Sequence, residues 1–326
     1  MPELPEVETI RRQLAPVVEG RTIEDVEILD PRWTRPLAPA EVEAALRGRR
    51  VVSLRRRGKY LLWELDGDVH LAQHLRMTGA VLADPDPDPT HARVAIELGP
   101  RAAGRGRRGG AKDAQHVRLV IDDPRRFGTG ELLLGTDQLT RFLDARLGLE
   151  PFDEGFTGDY LRTVMRGRRA PIKTMLLDQR RLAGVGNIYA DEALFRAGIH
   201  PLRAAGSLTR EEAERLRDGI REALQAGIEA RGASIDDFRD IEGVQGSFQN
   251  RFLVHRREGE PCPRCGGEVV KIVVGGRGTY VCERCQPRPR GRKAAVTPRV
   301  RKAAGPRPSG TGAARGGRPP RRRAAR

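Results

Sequence analysis

Pro2 is a residue whose position could allow covalent chemistry. Proline at this position normally permits removal of Met1, which would expose a secondary amine as the new chain terminus. An α-amino group titrates at about pH 7.7–8.0, so a useful fraction is unprotonated at neutral pH and can attack an electrophilic carbon. Glu3 and Glu6 follow closely and could transfer protons. A Met-Pro-Glu start is common, so this feature alone indicates little.

The four cysteines have the spacing of a metal site. They form two Cys-x-x-Cys pairs, Cys262 with Cys265 and Cys282 with Cys285, separated by sixteen residues. Each pair can present two thiolates on one side of a tight turn, and four thiolates complete a tetrahedral site with no open position for water. The spacing predicts one structural Zn²⁺ in a cysteine-framed β-hairpin. A redox pair or scattered buried thiols are the alternative.

The positive charge of the chain is concentrated at its end. The 326 residues carry a formal net charge of +16, but residues 288–326 contain 14 Lys or Arg and no acid, so the rest contributes only +2. Any nucleic-acid site before residue 288 must therefore be a local cluster. The tail has no hydrophobic periodicity, which predicts disorder. It is either a non-specific DNA tether or a low-complexity extension without function.

The composition predicts a globular protein that is neither exported nor inserted in a membrane. No run approaches 18 consecutive apolar residues, and the start lacks the basic-then-apolar layout of a secretory signal. Hydrophobic residues make up 38% of the chain, enough for the cores of two or three modest domains. We therefore expect a cytoplasmic protein.

The elements that position these residues begin with a predicted helix over 5–18. Pro5 suits its first turn and Gly20 can end it. Segments with strand-like alternation follow, interrupted by a short helix at about 40–47. The predicted strands are 21–29, 51–56, 59–65, 68–75, 91–98 and 116–122. This order predicts an all-β sandwich or barrel flanked by helices.

After about residue 137 the hydrophobic period becomes helical. Apolar residues then recur at three- and four-residue spacing, which predicts a second, α-helical domain. The predicted helices are 158–166, 172–180, 188–197 and 208–231. The Gly- and Arg-rich stretch 99–113 has no apolar period and is predicted to be a flexible insertion.

Five motifs, in order, resemble those of the formamidopyrimidine-DNA glycosylases, the repair enzymes for 8-oxoguanine and ring-opened purines. They are 1–9 (MPELPEVET), 57–62 (RGKYLL), 74–79 (HLRMTG), 123–128 (DPRRFG) and 184–190 (GVGNIYA). The cysteine hairpin follows them, and the resemblance covers about residues 1–286. Coincidence cannot account for so many motifs in one order.

The resemblance implies an α+β multidomain fold with DNA in the cleft between domains. It comprises an N-terminal β-sandwich with flanking helices, a helix-two-turns-helix domain and a C-terminal zinc β-hairpin. The predicted boundaries are 1–136 for the catalytic sandwich, 137–243 for the helical domain, 244–286 for a recognition loop with the zinc hairpin, and 287–326 for the disordered tail. The implied partner is lesion-containing double-stranded DNA, bound by a monomer.

The resemblance also implies a mechanism of β,δ-elimination through a Schiff base. Pro2 attacks the sugar C1′, Glu3 assists ring opening, and the damaged base leaves. Lys59 resembles the family lysine near the lesion phosphate, and Arg277 the hairpin arginine that grips phosphate and assists the second elimination. By residue type alone, both could be solvated surface residues. No redox or organic cofactor is required.

A base within a duplex must be extruded before an enzyme can act on it, and the gap must be filled. The resemblance implies that Met77, Arg125 and Phe127 fill it, although core packing is the alternative for Met77 and Phe127. Asn187 could cap the helix that begins there, bind phosphate with neighbouring N–H groups, or do both. Further contacts to the DNA backbone are implied for His74, His91, Arg126 and Arg168.

Two rival functions are less consistent with the sequence. A sister enzyme of the endonuclease VIII type, which prefers oxidised pyrimidines, typically has glycine where this chain has Leu4. A non-catalytic damage-binding protein would have no need of Pro2, Glu3 and Lys59 together. Arg76 stands where many members of the family have glycine, and the sequence assigns it no role.

Overall fold

A computed structural model of the chain describes residues 2–101, 114–234 and 238–289. Most of the predicted insertion and of the predicted tail lies outside these residues. The helices are α1 Leu4–Val18, α2 Pro39–Leu46, α3 Thr136–Asp144, α4 Gly158–Met165, α5 Ile172–Leu176, α6 Asn187–Ala197 and α7 Arg210–Glu229. Within the described ranges, none of the helices has the length and apolar character needed to cross a membrane.

In the described residues, ten strands form three antiparallel sheets. They are β1 Ile23–Ile28, β2 Val51–Arg57, β3 Tyr60–Leu65, β4 Val69–His74, β5 Ala80–Ala83, β6 Ala92–Leu98, β7 Val117–Asp122, β8 Thr129–Leu134, β9 Val270–Val274 and β10 Arg277–Val281. The two four-stranded sheets have the orders β1-β6-β7-β5 and β2-β3-β4-β8, and β9 pairs with β10. Inward side chains of both larger sheets share one core, which confirms the predicted β-sandwich.

Helix α1 belongs to two hydrophobic cores. Val7, Ile10 and Leu14 are buried against the two sheets, whereas Leu4, the first residue of the helix, packs into the core of the helical domain. The Leu4 N–H also donates to the Gly184 carbonyl, 3.1 Å away. The N-terminal end of α1 is therefore held at the place where the sandwich meets the helical domain.

The structure departs from the predicted elements in a few places. Strands β5 and β8 and helix α3 were not predicted. β5 has only four residues, and β8 ends in three consecutive leucines without alternation. Helix α3 has its apolar residues at helical spacing, but over only nine residues. Helix α5 ends at Leu176 rather than at 180. Beyond it, the Asp178 carboxylate accepts the N–H of Arg180, a local bond that competes with helix continuation. Helix α3 packs Leu139 and Phe142 against the outer face of the β2-β3-β4-β8 sheet, and the boundary at 136/137 stays a prediction.

Replacing Gly184 by alanine should destabilise the protein through the joint between its domains. Gly184 has a φ of +93°, and a Cβ there would lie 2.5 Å from Leu4 Cδ1. We expect the free energy of unfolding in urea to fall by about 3 kcal/mol, from backbone strain plus overpacking. The matched control is Gly48→Ala, where φ is +79° and no atom lies within 4 Å of a Cβ. Equal losses in the two variants would contradict the packing argument.

Candidate active site and nucleic-acid interface

One edge of the β2-β3-β4-β8 sheet gathers several predicted site residues. Lys59 immediately precedes β3, and the next residue, Tyr60, pairs with His74 at the end of β4. His74 in turn pairs with Thr129 at the start of β8. The segment after β4, which carries Met77, and the segment before β8, which carries Phe127, therefore emerge from this same edge.

The Glu3 carboxylate lies on the N-terminus of helix α6. Its Oε1 accepts the N–H of Ile188 at 3.1 Å, and its Oε2 lies 3.5 Å from the N–H of Tyr189. These are backbone donors without a partner inside the helix, and the helix dipole favours a negative charge there. A Cβ at Gly186 would lie 2.2 Å from the carboxyl carbon of Glu3, so only glycine leaves room for this contact.

This contact corrects one prediction for Asn187. Its side chain does not cap α6: the N-cap is Gly186, and Glu3 binds the N–H groups of the first turn. Instead, Asn187 Nδ2 donates to the Gly278 carbonyl of the zinc hairpin at 3.1 Å. Asn187 thus joins the start of α6 to the hairpin, and a contact with phosphate remains a proposal.

A second carboxylate, Glu6, is buried beside the first. It accepts hydrogen bonds from the Glu3 N–H at 2.8 Å, the Tyr189 hydroxyl at 2.7 Å and the Ala233 N–H at 2.8 Å. Burial, together with the charge of Glu3, raises the pKa of Glu6 above its usual range, against the effect of these bonds. The two carboxylates and their donors hold the residues that follow Pro2 in one conformation.

Lys59 faces these two carboxylates. Its side chain is only 5% exposed, so it is not the solvated lysine that its residue type favours. Burial lowers the pKa of the Lys59 ammonium group, Glu3 and Glu6 oppose that shift, and Arg277 adds to it. Lys59 therefore lies within electrostatic range of the start of α1 and of Arg277 near the tip of the hairpin.

Pro2 is buried at this junction and not behind the sandwich. Glu3 and Leu4, which follow it, contact the start of α6 and Gly184. In the whole chain the Pro2 nitrogen is an amide, and loss of Met1 would convert it into an amine at the same place. The predicted nucleophile therefore lies beside Glu3 and close to Lys59.

His74 is buried and neutral. Burial, with the charges of Arg76 and Lys59, lowers the pKa of His74 to about 3. Its Nδ1 accepts the N–H of Arg76 at 2.9 Å, so the proton of the neutral ring is on Nε2. His74 can thus donate a hydrogen bond to an anion without carrying a charge.

Asp123 holds together the two segments that carry the predicted gap-filling residues. One carboxylate oxygen accepts the Thr78 hydroxyl and the Arg125 N–H, and the other accepts the Gly128 N–H at 2.7 Å. The Asp123 side chain is buried, so these bonds are shielded from water. Asp123 opens the 123–128 motif, and the sequence alone predicts no role for it beyond the turn that an aspartate before a proline typically organises.

The apolar residues on these two segments point into solvent. Met77 is 40% exposed and Phe127 50% exposed, which excludes core packing for both. The guanidinium of Arg125 lies 5.0 Å from the centre of the Phe127 ring, a cation–π contact that keeps both side chains on one side. Exposed apolar side chains beside a cation suit insertion into a base stack.

The remaining predicted DNA contacts are exposed and differ in their distance from this edge. His91 accepts the Asp123 N–H through its carbonyl, so it lies next to the same segment. Arg126 has a φ of +59°, and its Nε lies 3.9 Å from Asp30 Oδ2. Arg168 lies elsewhere, in the turn after α4, where its carbonyl accepts the Gly206 N–H.

The four cysteines form a zinc-sized cluster. The sulfurs all lie within 4.8 Å of one another, with Cys262 and Cys285 at 3.8 Å and Cys265 and Cys282 at 3.5 Å. Four sulfurs that bind Zn²⁺ tetrahedrally at about 2.3 Å stand about 3.8 Å apart. The donor set and its spacing fit one structural Zn²⁺, as predicted.

The hairpin that carries Arg277 is anchored by a fully buried ion pair. Arg277 itself is exposed at the start of β10, after the turn Gly275–Gly276. Lys173 Nζ donates to Asp191 Oδ1 at 2.6 Å and to the Thr279 hydroxyl at 2.8 Å. The residues next to Arg277 are therefore fixed to α5 and α6. Sequence reasoning missed Lys173 and Asp191, because nothing in either helix sequence shows that these two charged side chains are buried together.

Three sequence families match the chain in the order of its domains. "Formamidopyrimidine-DNA glycosylase N-terminal domain" matches residues 1–130, "Formamidopyrimidine-DNA glycosylase H2TH domain" matches 147–239, and "Zinc finger found in FPG and IleRS" matches 259–288. Together they cover both sides of the site and the cysteine cluster.

Individual proteins agree. The formamidopyrimidine-DNA glycosylase of Heliobacterium modesticaldum is 46% identical over 286 residues, 88% of this chain and all of its own. The crystal structure of MutM (Fpg) from Thermus thermophilus superposes with a TM-score of 0.74 at 44% identity, covering 87% of this chain and 98% of its own. The structure of Lactococcus lactis Fpg in complex with abasic-site DNA superposes with a TM-score of 0.77 at 36% identity, covering 88% of this chain and all of its own. The chain therefore belongs to the formamidopyrimidine-DNA glycosylase family, and it is a base-excision repair glycosylase and abasic-site lyase that acts on damaged DNA.

Proposed function

We propose that the protein removes oxidised purines, 8-oxoguanine and formamidopyrimidines, from duplex DNA with its N-terminal proline as the nucleophile. The observation that carries the proposal is the placement of the α1 N-terminus. Pro2 lies beside the helix-bound carboxylate of Glu3, with Lys59 and Arg277 in the same electrostatic site. The Lactococcus lactis structures with Fapy-dG and abasic-site DNA show related proteins bound to such substrates.

The first chemical step joins the Pro2 nitrogen to the sugar C1′. The glycosidic bond breaks, and its electron pair leaves with the damaged base, which takes up a proton. Glu3 is placed to accept the proton that the Pro2 nitrogen loses after it bonds to C1′ and to deliver that proton to the ring oxygen, so that the ring opens and the freed nitrogen lone pair forms the iminium. The α6 N–H groups hold the Glu3 carboxylate on one side and so orient it for this transfer.

The iminium then acts as the electron sink for two eliminations. Loss of a C2′ proton breaks the bond to the 3′ phosphate oxygen, and a second proton loss breaks the bond to the 5′ phosphate oxygen. Each phosphate leaves with its electron pair, so a cation beside it stabilises the departing charge. We assign this role to Lys59 and Arg277. His74 is assigned as a neutral hydrogen-bond donor to the phosphate backbone of the DNA.

The exposed edge of the sandwich is proposed to hold the duplex open. Met77 and Phe127 enter the stack as apolar wedges, and Arg125 bonds the base left without a partner. His91, Arg126, Arg168 and Asn187 are assigned to the phosphate backbone, where such contacts orient the duplex without reading its sequence. We expect the protein to act as a monomer in the cytoplasm, on nucleoid DNA.

Replacing Pro2 by glycine should slow strand cleavage at 8-oxoguanine at least about tenfold. A glycine imine must bind a proton before it can withdraw electrons for the eliminations, whereas a proline iminium carries a permanent charge. Single-turnover strand cleavage and borohydride trapping of the covalent adduct measure the effect. As a control, the natural sequence with an N-terminal extension should give no adduct until a protease exposes Pro2. A glycine variant that cuts at the natural rate would defeat the assignment.

Replacing Asp123 by alanine should weaken binding to a duplex with an uncleavable abasic analogue by about tenfold or more. Hydrogen bonds to an ionised acceptor stabilise by about 1.5–3 kcal/mol, and their loss would let the segments that carry Met77 and Phe127 move independently. Electrophoretic mobility shifts measure the dissociation constant. Asp144→Ala, at an exposed position of α3, is the matched control and should bind as the natural protein does. Unchanged binding by the Asp123 variant would refute its role.

Removal of zinc should abolish binding to damaged DNA without unfolding the sandwich. Zinc coordination drives the folding of a hairpin that has little other core. Both tryptophans, Trp33 and Trp63, lie in the core of the sandwich, so their fluorescence reports that domain alone. A chelator should therefore eliminate the mobility shift and leave the emission unchanged, and added Zn²⁺ should restore binding. Retained binding by metal-free protein would show that the hairpin is dispensable.

A further inference from the structure

Tyr189 links the two buried carboxylates that follow the nucleophile. Its backbone N–H approaches Glu3 Oε2 at 3.5 Å, and its hydroxyl donates to Glu6 Oε1 at 2.7 Å. The ring is 1% exposed and stacks on Phe248, with the ring centres 5.2 Å apart. One residue of α6 therefore contacts both carboxylates of the first turn of α1.

The hydroxyl reaches Glu6 through a gap left by a glycine in the neighbouring helix. A Cβ at Gly227 of α7 would lie 2.5 Å from the Tyr189 hydroxyl oxygen. Burial and the charges of Glu6 and Glu3 raise the pKa of Tyr189 well above its usual range, so the hydroxyl stays protonated and remains a donor. The packing thus fixes both the position and the protonation state of this group.

Glu6 passes the constraint on to the nucleophile. Its other oxygen, Oε2, accepts the Glu3 N–H at 2.8 Å, and that N–H belongs to the peptide that joins Glu3 to Pro2. A chain of two hydrogen bonds therefore runs from the Tyr189 hydroxyl to the peptide next to the reacting nitrogen. The Ala233 N–H also donates to Glu6, at Oε1, the oxygen that accepts the Tyr189 hydroxyl.

We propose that Tyr189 is a positioning residue for the reaction: its hydroxyl holds the ionised Glu6 carboxylate in the place where that carboxylate fixes the Pro2–Glu3 peptide. The inference rests on the proposed function of Pro2. It assigns Tyr189 no contact with substrate. Its effect passes through Glu6 alone.

The ionisation state of Glu6 makes the proposal measurable. Protonation removes the negative charge toward which three donors point, so the bond to the Glu3 N–H weakens. The charged groups that face Glu6 are Glu3 on α1, which disfavours its ionised form, and Lys59 before β3, which favours it. From α6, the Tyr189 hydroxyl donates to Glu6 and favours its ionised form. Activity should therefore fall on the acid side as Glu6 takes up a proton.

The test is the pH dependence of single-turnover excision by Tyr189→Phe, with 8-oxoguanine duplex as the substrate. The variant keeps the stacked ring and loses one hydrogen bond to the ionised carboxylate. The pKa of Glu6 rises further, so the acid limb should move to higher pH by about 1 unit. Tyr160→Phe, which loses a hydroxyl bonded to the Arg181 carbonyl in the same domain, is the matched control and should leave the limb in place.

A second variant tests the same chain of bonds by another route. Glu6→Gln cannot ionise, so the part of the acid limb that comes from Glu6 should disappear, while the part that comes from protonation of the Pro2 amine remains and the maximal rate is lower. An unmoved limb in Tyr189→Phe, or a uniform loss at every pH, would overturn the proposal. Failure of the natural protein to form a borohydride-trapped adduct would instead overturn the proposed function of Pro2, so the two failures are distinguishable.

Discussion

The site depends on one electrostatic contact, the Glu3 carboxylate on the N-terminus of α6. Glu3 belongs to the first residues of the chain, and α6 belongs to the helical domain, so this contact joins the two domains where Pro2 lies. A carboxylate in this position is stabilised by free N–H groups and by the helix dipole without an ion-pair partner. Leu4 packs into the helical core, and the missing side chain of Gly186 leaves room for the Glu3 carboxylate. Both features allow the start of α1 to approach α6. A terminus that would ordinarily fray is thereby held rigid.

Around that contact the protein buries charge in a way that favours an anionic ligand. Lys59 lies near two carboxylates and near Arg277, while Lys173 is neutralised by Asp191 beneath the hairpin. Replacing such a buried ion pair by apolar residues is often neutral for stability. The Lys173–Asp191 pair is therefore better explained by position, because it fixes the strand residues next to Arg277. The zinc cluster sets the far end of the same hairpin. The Lys173–Asp191 ion pair and the zinc-binding cysteines thus together hold the exposed Arg277 in place.

The sequence predicted the architecture because its signals are local. The apolar run over 60–65, the helical spacing over 187–197 and the two Cys-x-x-Cys pairs each specify an element without knowledge of its neighbours. The exposure of Met77 and Phe127 could be predicted only through the resemblance, since residue type alone favours the core. Residues that act between distant segments were out of reach: nothing local shows that Asp123 joins two turns or that Tyr189 reaches Glu6 across domains. The capping role considered for Asn187 was wrong because Glu3, from the start of the chain, takes its place.

The central claim is that the imino nitrogen of Pro2 bonds to the sugar of the damaged nucleotide. Peptide mapping of the borohydride-reduced adduct tests it most directly, because trypsin releases residues 2–11 as one peptide. Mass spectrometry should find Met1 absent and the reduced nucleotide on the Pro2 nitrogen of that peptide. A label on Lys59 or any other lysine, or an unmodified N-terminal peptide that still carries Met1, would contradict the account.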